Sequence, residues 1–354
     1  VEVAEAEAGD IVQIAGIPDI YVGDTIAEDP KAEALPSIAI DPPTLSMDFM
    51  VNTSPFAGQE GKLVNSRQIR ERLVKELEMN VGLQIEFPET GDVFAVKGRG
   101  EMHLSILIEQ MLREGFELQV SQPRVVMKKV DGEKQEPIEI TVIDVPDALA
   151  GTVIEKLGKR KGEMINMQSE NGSTRLEYHI PTRGLLGYRT EFMTDTKGEG
   201  TISHQFSHYG PYKGEIAKRS TGSMISGFDG STTAYALDTL QARGPLFVAA
   251  GTPVYEGMVV GMSMKENLTV NPIREKKLTN MRTSGSDMSI KLTPPLEMNL
   301  ERALEYIDQD ELVEATPTSI RIRKKFLKEH ERKRHGTPKN EQKKAKQIEK
   351  ESAQ

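Results

Sequence analysis

The chain contains no cysteine and no tryptophan, and aromatic residues make up only 5% of its 354 positions. Without cysteine it forms neither disulfides nor thiolate zinc sites, which fits a reducing compartment, so we expect a cytoplasmic protein. No apolar run approaches the roughly 20 residues that a membrane-spanning helix needs, so no membrane association is expected. The acidic start, Val1 to Glu5, resembles no signal peptide and has no initiator Met, and we expect a fragment of a longer protein.

The usual signatures of catalysis are also missing. The sequence has no G-x-x-x-x-G-K-[ST] phosphate loop and no G-x-S-x-G nucleophile elbow. His204 and His208 are four residues apart on a predicted strand, which separates them by about 13 Å, so no metal site is expected there. His103 opens a predicted helix and is interpreted as a capping or packing residue rather than an acid or base. Three methionines fall at apolar positions and are interpreted as core residues, namely Met164, Met167 and Met193.

The net charge of −9 argues at first sight against a nucleic-acid partner, but the charge is unevenly distributed. Residues 321–354 carry 13 Lys or Arg and 5 Asp or Glu, a net of +8, whereas residues 1–320 carry a net of −17. At physiological salt the screening length is about 8 Å, so local clusters matter more than the total. Residues 328–354 are rich in Lys and Glu with few apolar positions and are predicted to be a disordered basic tail.

Residues 1–40 alternate short apolar runs with Gly and Asp turns, a pattern typical of short strands in a β-barrel or sandwich. They are too few to close a barrel, so we interpret them as a barrel remnant. Residues 41–130 predict the order βαββαβ, the ferredoxin-like split unit, and residues 131–212 repeat it. In the second copy, Asn171-Gly172 is a strong hairpin signal.

Residues 213–327 are richer in Gly and Ser, with short predicted strands and one main helix from Leu300 to Ile307. The predicted fold class is therefore α+β. It comprises two tandem ferredoxin-like βαββαβ domains and a mostly-β C-terminal domain with one main helix, preceded by the β-barrel remnant.

The longest segment without a helix or strand period runs from Leu268 to Asp287. Such segments inside compact domains are usually functional or disordered. Its cations, hydroxyls and amides suit phosphate and ribose contact, and a solvated loop is the alternative interpretation. Because aromatic residues are scarce, any RNA is expected to be held through phosphates and shape. The candidate RNA-binding residues are Arg274, Lys276, Lys277, Thr279, Asn280 and Arg282 in this loop, Lys159, Arg160 and Lys161 at a helix end, and Arg321, Arg323, Lys324 and Lys325 at the last strand.

Several motifs are similar to those of translational GTPases. Residues 98–104 (Gly-Arg-Gly-Glu-Met-His-Leu) resemble the third domain of elongation factor G, and residues 184–209 resemble its fifth domain. Further stretches look like the BipA/TypA family, at residues 52–56 (Asn-Thr-Ser-Pro-Phe), 160–163 (Arg-Lys-Gly-Glu), 276–282 (Lys-Lys-Leu-Thr-Asn-Met-Arg) and 311–324. The resemblance to the C-terminal part of that family covers nearly the whole chain.

This resemblance implies that residues 1–40 end the family's β-barrel second domain. Residues 41–130 and 131–212 would be its third and fifth domains, and residues 213–327 its own C-terminal domain. It further implies a monomer that binds the ribosome (70S, 50S and 30S) and supports 50S assembly and stress-dependent translation. The C-terminal domain would touch the 23S rRNA A-loop region and the acceptor end of A-site tRNA, with Lys276, Lys277 and Arg282 holding phosphates.

The family's GTPase domain is not represented in the sequence given, so we expect no enzymatic activity and no cofactor in this chain. GTP and magnesium would belong to the full-length protein. The main alternative is the C-terminal body of another translational GTPase, like elongation factor G or elongation factor four. Two other classes are a small acylphosphatase-like hydrolase, with Arg99 holding a phosphate, and a protein-only scaffold that uses the acidic N-terminal face.

Overall fold

A computed structural model describes residues 5–17, 20, 22–29, 31–36, 41–88, 91–130, 132–216, 219, 221–276 and 290–335. In this part of the chain, no helix is both long and apolar enough to cross a membrane. The described residues form two α/β units and a C-terminal region, with three hydrophobic clusters.

The first unit has the predicted βαββαβ order. Its elements are β1 (Leu45–Val51), α1 (Ser66–Met79), β2 (Gln84–Glu86), β3 (Val93–Gly98), α2 (Glu101–Arg113) and β4 (Leu118–Ser121). The strands form an antiparallel sheet in the order β4-β1-β3-β2, and both helices pack into the same core. This arrangement confirms the ferredoxin-like prediction.

Local sequence signals explain where the two helices begin and end. The Asn65 side chain accepts a hydrogen bond from the Gln68 amide (2.9 Å), and the Gln68 side chain accepts one from the Asn65 amide (3.3 Å). This reciprocal cap begins α1. Ile69 and Leu73, four residues apart, are both fully buried on its inner face. Helix α2 ends before Gly115, whose φ of 93° lies in the left-handed region that favours glycine.

The second unit repeats the arrangement. After β5 (Arg124–Val125) and β6 (Lys128–Val130) come β7 (Glu133–Pro146), α3 (Asp147–Lys159), β8 (Glu163–Glu170), β9 (Ser173–Pro181), α4 (Thr182–Leu185), α5 (Tyr188–Asp195) and β10 (Thr201–Pro211). The sheet order is β10-β7-β9-β8, and β6 pairs with the start of β7. The predicted hairpin turn joins β8 to β9, with φ of 54° at Asn171 and 81° at Gly172.

The C-terminal region contains β11 (Gly222–Ser226), β12 (Gly230–Ser231), α6 (Ala234–Gln241), β13 (Pro253–Val254), β14 (Val259–Ser263), β15 (Leu268–Val270), α7 (Leu300–Tyr306), β16 (Glu311–Ala315), β17 (Ile320–Lys324) and α8 (Glu329–His335). Strands β14, β11 and β15 form a small sheet, and α6 shares its core. The prediction of one main helix is wrong, because α6 and α7 have 8 and 7 residues. Strand β15 pairs in parallel with β11, so the segment predicted to lack a period begins with regular structure.

The C-terminal region is also built into the first unit. Strand β16 pairs with β17 and with β4, so the first sheet extends to the order β17-β16-β4-β1-β3-β2. In this register Val313 lies opposite Val120, and both are fully buried. Helix α7 adds Leu300, Ala303 and Leu304 to the same core. The predicted boundary at residue 213 therefore does not separate two independent cores.

The described residues at the N-terminus do not form the predicted short strands. Where residues 5–36 are described, they contain no strand, and Ile11, Val22 and Leu35 are exposed. A strand needs a partner for its backbone N–H and C=O groups, and these segments pair with no other described part of the chain.

Part of the tail is helical, contrary to the prediction of disorder from residue 328. In α8, Lys333 pairs with Glu329 at 2.8 Å, and His335 stacks on Phe326 with ring centroids 4.3 Å apart. These contacts supply the stabilisation that the few apolar residues do not. Residues 336–354 lie outside the described residues.

The three methionines predicted to be core residues are exposed. The exposed fractions are 42% for Met164, 48% for Met167 and 44% for Met193. Met164 and Met167 lie on β8, which is the edge strand of its sheet, and neither belongs to the hydrophobic cluster of the second unit.

Replacing Leu304 by Ala tests whether α7 belongs to the first core. Leu304 is only 4% exposed within that cluster, so we expect the free energy of unfolding to fall by about 2–5 kcal/mol. Denaturant unfolding, followed by a probe in the first unit, measures this change. Gln309→Ala, at an exposed position nearby, is the control and should change stability by less than about 0.5 kcal/mol. A first unit that unfolds at the same denaturant concentration in Leu304→Ala would contradict the shared core.

Candidate nucleic-acid interface

Helix α6 holds both ends of the long basic loop. At its N-terminus, the Thr233 hydroxyl donates a hydrogen bond to the backbone carbonyl of Arg274 (2.5 Å). At its C-terminus, the Gln241 side chain donates to the carbonyl of Lys291 (3.0 Å) and accepts from the amide of Thr293 (3.0 Å). The described residues therefore stop at residue 276, shortly after the contact at one end of α6, and resume at residue 290, just before the contacts at the other end.

Three cations surround α6, namely Arg243, Lys265 and Arg274. All three are exposed, and none forms an ion pair with a described residue. Arg243 lies between two hollows, one of about 320 Å³ that Lys265 also lines and one of about 210 Å³ that Arg274 also lines. Arg243 is common to both hollows, and we call the surface that these three side chains line the α6 surface.

The chemistry of the second hollow suits a phosphate better than that of the first. Glu266 lines the first hollow, and its negative charge opposes an anion there. The lining of the second hollow contains no carboxylate among the described residues and supplies hydroxyl and amide groups from Tyr235, Thr239, Thr269 and Asn271. Cations that bind phosphate beside groups that hydrogen-bond ribose are typical of contacts to a nucleic-acid backbone.

The loop residues predicted from the sequence are only partly described. Arg274 belongs to the α6 surface, and Lys276 is exposed and already engaged in an interaction within the chain. The others lie outside the described residues, namely Lys277, Thr279, Asn280 and Arg282.

The helix-end group divides into surface and interior residues. Lys161 is exposed, and Lys159 is exposed with an ion pair to Glu155 at 2.6 Å. Arg160 instead braces α3 against the following helices. Its guanidinium donates to the carbonyl of Gly184 (2.9 Å) and to Glu191 (2.8 Å). The expectation that Arg160 faces RNA is therefore corrected, because its donors are used inside the unit.

The strand-end group is mostly internal. Arg323 and Lys324 are 4% and 1% exposed, and the Arg321 side chain is 12% exposed. Lys324 contacts Glu311 at 2.9 Å, and Arg321 contacts Glu314 at 3.0 Å. Burial of all three side chains, with carboxylate partners for Arg321 and Lys324, corrects the expectation that they form a phosphate-binding cluster. Only Lys325 of this group is exposed.

Sequence reasoning missed Arg243 and Lys265. Each is a single cation in a stretch without a basic run, so no local pattern marks either one. Arg243 lies just after α6, and Lys265 lies in the short turn between β14 and β15. Exposed cations at such positions are common in any protein, so they do not indicate a binding site. Only the packing of α6 against the small sheet brings the two residues beside Arg274.

Comparison with known proteins agrees with the resemblance seen in the motifs. Residues 133–220 match the elongation factor G C-terminus, and residues 221–329 match the TypA/BipA C-terminal domain. A relative named "Large ribosomal subunit assembly factor BipA" from Salmonella typhimurium is 53% identical over 332 residues, which are 93% of this chain and 55% of that protein. The chain belongs to the BipA/TypA family.

Proteins with the same name in other bacteria give a similar result. The Haemophilus influenzae relative is 54% identical over 93% of this chain and 54% of its own length, and the Synechocystis relative is 51% identical over 92% and 55%. The chain thus spans about half the length of the curated relatives that it matches. A crystal structure from Thermus thermophilus aligns at 16% identity over 53% of this chain and 44% of that one, with a TM-score of 0.33.

Two BipA/TypA motifs, residues 52–56 and 311–324, meet at a buried carboxylate in this structure. Glu314 has a fully buried side chain and accepts hydrogen bonds from Asn52 (3.0 Å), Ser54 (2.8 Å), Tyr255 (2.8 Å) and Arg321 (3.0 Å). Burial, followed by the charge of Glu314, raises the pKa of Tyr255 well above its ordinary value, so the tyrosine stays a proton donor. The motif residues are therefore structural in this region.

His103 has the packing role that the sequence predicted. Its Nδ1 accepts from the backbone amide of Arg99 (3.4 Å), and its Nε2 lies 3.1 Å from Oδ1 of Asn80. Burial and the charge of Arg99 lower the pKa of His103. These contacts tie the start of α2 to the end of α1.

The described residues do not fit the GTP and magnesium of a translational GTPase. No group of three or more His, Cys, Asp or Glu in this part of the chain is arranged to hold a metal ion, and the sequence has no phosphate loop. Nothing in the α6 surface resembles a nucleotide-hydrolysis site.

Replacing Arg321 by Ala separates a structural role from an RNA-binding role. The change leaves the buried Glu314 and the half-buried Glu60 without their cation, so we expect a loss of about 3–5 kcal/mol in the free energy of unfolding, mainly through Glu314. Denaturant titration at neutral pH measures it. Lys325→Ala, at the exposed neighbour, should cost less than about 0.5 kcal/mol. Equal stability of the two variants would show that the ion pairs of Arg321 with Glu314 and Glu60 do not stabilise the fold.

The stability of the region around Glu314 and Arg321 should depend on pH through Glu60, which also pairs with Arg321. Burial raises the pKa of this carboxyl, but hydrogen bonds from Thr316 and Thr318 and the charge of Arg321 outweigh burial, so its folded pKa lies below 4.5. The ionised form therefore stabilises the fold above about pH 4.5, and this contribution is lost as the pH falls through the folded pKa. We expect Glu60→Gln to be less stable than the parent at pH 7, with the difference disappearing in stronger acid. Parallel thermal melts across this pH range test the trend, which a constant difference would contradict.

Proposed function

We propose that this chain is the ribosome-binding, RNA-contacting part of a BipA/TypA factor that acts in assembly of the large ribosomal subunit. The names of its relatives support the assembly role. The observation that carries the RNA contact is the α6 surface, where Arg243, Lys265 and Arg274 are exposed without an ion pair to any described residue. An otherwise negative chain that leaves cations unpaired together is suited to a polyanion.

In this proposal the RNA backbone lies across the second hollow. Arg243 and Arg274 flank a phosphate, and the hydroxyl and amide groups between them hydrogen-bond neighbouring riboses. Lys277, Thr279, Asn280 and Arg282, which lie outside the described residues, are also proposed to bind RNA. Lys276, Lys159, Lys161 and Lys325, which are exposed, add charge at the margins.

The finer assignments are proposals of the same kind. The 23S rRNA A-loop region and the acceptor end of A-site tRNA are the contacts proposed for the C-terminal region. GTP hydrolysis is proposed for the whole protein and not for the surface described here, and the place of action is the cytoplasm. The match of residues 221–329 to the TypA/BipA domain favours this assignment over a body like that of elongation factor G or elongation factor four.

Neutralising both arginines of the second hollow tests the contact. We expect the Arg243→Gln and Arg274→Gln double variant to bind purified large ribosomal subunits about ten- to thirtyfold more weakly near physiological salt, because each phosphate contact contributes about 0.9 to the slope of log affinity against log salt. Co-sedimentation at several salt concentrations measures the affinity.

A matched control removes the same charge elsewhere. Lys62 and Lys75 are exposed on the first unit without an ion pair to a described residue, so Lys62→Gln with Lys75→Gln should bind like the parent. If the parent chain does not sediment with large subunits, or if both double variants lose the same affinity, the α6 surface is not the RNA contact.

A further inference from the structure

A short hairpin on the second unit places two lysines directly opposite each other. In the antiparallel pairing of β6 with β7, Lys129 is the register partner of Lys134, and Lys128 is the partner of Gln135. All three lysines are exposed. Register partners share one face of a sheet with their Cβ atoms about 5 Å apart, so Lys129 and Lys134 place two like-charged side chains on one face of the hairpin.

No carboxylate neutralises this pair among the described residues. Neither lysine forms an ion pair there, and Glu133 lies opposite Val130, which places its side chain on the other face of the hairpin. Like charges directly opposite each other in a β-ladder are destabilising. The hairpin therefore carries an arrangement that folding alone does not favour and that a bound polyanion would stabilise.

Tyrosines hold further cations at the base of the hairpin. The ammonium of Lys134 lies 4.9 Å and the guanidinium of Arg183 4.4 Å from the ring centre of Tyr212. On the opposite face, Lys128 lies 4.0 Å from the ring centre of Tyr209. These contacts fix where the charges lie and leave the ammonium hydrogens free for an external acceptor.

The same contacts decide which part of a nucleic acid fits. Two cations already occupy the ring of Tyr212, so this ring is not a platform for an unstacked base. Arg183 is neutralised by an ion pair with the buried Glu136. What the hairpin offers to a partner is the paired ammonium groups of Lys129 and Lys134, which suit successive backbone phosphates and read no base sequence.

We propose that the β6–β7 hairpin is a second RNA-phosphate contact of this chain, located on the second ferredoxin-like unit and separate from the α6 surface. This inference rests on the proposed function, because ribosome assembly supplies structured RNA as the partner. An acidic protein segment is the competing partner. RNA is favoured because Lys129 and Lys134 present point charges on one face of the hairpin, whereas the exposed apolar residue of β6, Val130, lies on the other face.

Changing Lys134 to Glu gives the sharpest test. Opposite Lys129, the new carboxylate forms a favourable cross-strand pair, so the melting temperature should stay the same or rise. Binding to a labelled RNA hairpin with a stem of about 16 base pairs should nevertheless weaken. Lys129→Gln with Lys134→Gln should lower the slope of log affinity against log salt by about 1.4 to 1.8, the value for two lost phosphate contacts. A purely structural role would move stability and binding in the same direction.

The control and the competing outcomes use the same intact chain. The Lys62→Gln and Lys75→Gln double variant should have the same slope of log affinity against log salt as the parent. An equally lowered slope in this control would mean that net charge alone explains the effect, and it would overturn the proposal. It is also overturned if the hairpin variants bind the RNA like the parent, or if they lose binding to a polyglutamate peptide but not to RNA. Sedimentation with large subunits separates the two hypotheses. Suppose that the Arg243→Gln and Arg274→Gln double variant no longer sediments with large subunits, while the β6–β7 variants still sediment with them and still bind the RNA hairpin. In that case only the hairpin proposal fails.

Discussion

The buried carboxylate of Glu314 is the interaction on which the arrangement of the C-terminal region depends. Its oxygens accept from Asn52 and Ser54 of the first unit, from Tyr255 beside the small sheet, and from Arg321 of β17. A fully buried charge is tolerated only when its hydrogen bonds are satisfied, so the loop after β1, the small sheet and the added hairpin must take these positions together. The α6 surface is thereby held at a defined place relative to the first sheet.

The cations of this chain divide according to whether a carboxylate lies within reach. Arg160 belongs to one basic run of the sequence and Arg321 and Lys324 to another, yet each of the three contacts a carboxylate within the fold. Arg243 is isolated in the sequence and Arg274 belongs to the long basic loop, yet the two line one hollow without such a partner among the described residues. Burial makes the first group structural, and the lack of internal compensation leaves the second able to bind an external anion. For this reason a run of basic residues in the sequence does not show which of its cations are exposed and unpaired.

Much of the fold was predictable because its signals are local. The cap at Asn65, the buried stripe of α1 and the turn at Asn171-Gly172 each depend on a few neighbouring residues, and both βαββαβ units follow from such signals. The pairing of β16 with β4 was not predictable, because Val313 and Val120 are distant in the chain and nothing local identifies the partner. The exposure of Met164 and Met167 was missed for the same reason, since an edge strand is defined by its sheet and not by its own residues.

The sequence by itself determined the two ferredoxin-like units, the family and the presence of a basic loop, because short-range periodicity, turn residues and motif spacing are properties of contiguous residues. Only the tertiary structure decided which cations face solvent. It joined the C-terminal hairpin to the first sheet, placed Arg243 beside Arg274, and set Lys129 opposite Lys134. These are relations between residues far apart in the chain or across a strand register, and a charge acquires its role from its surroundings, which are known only once the chain has folded.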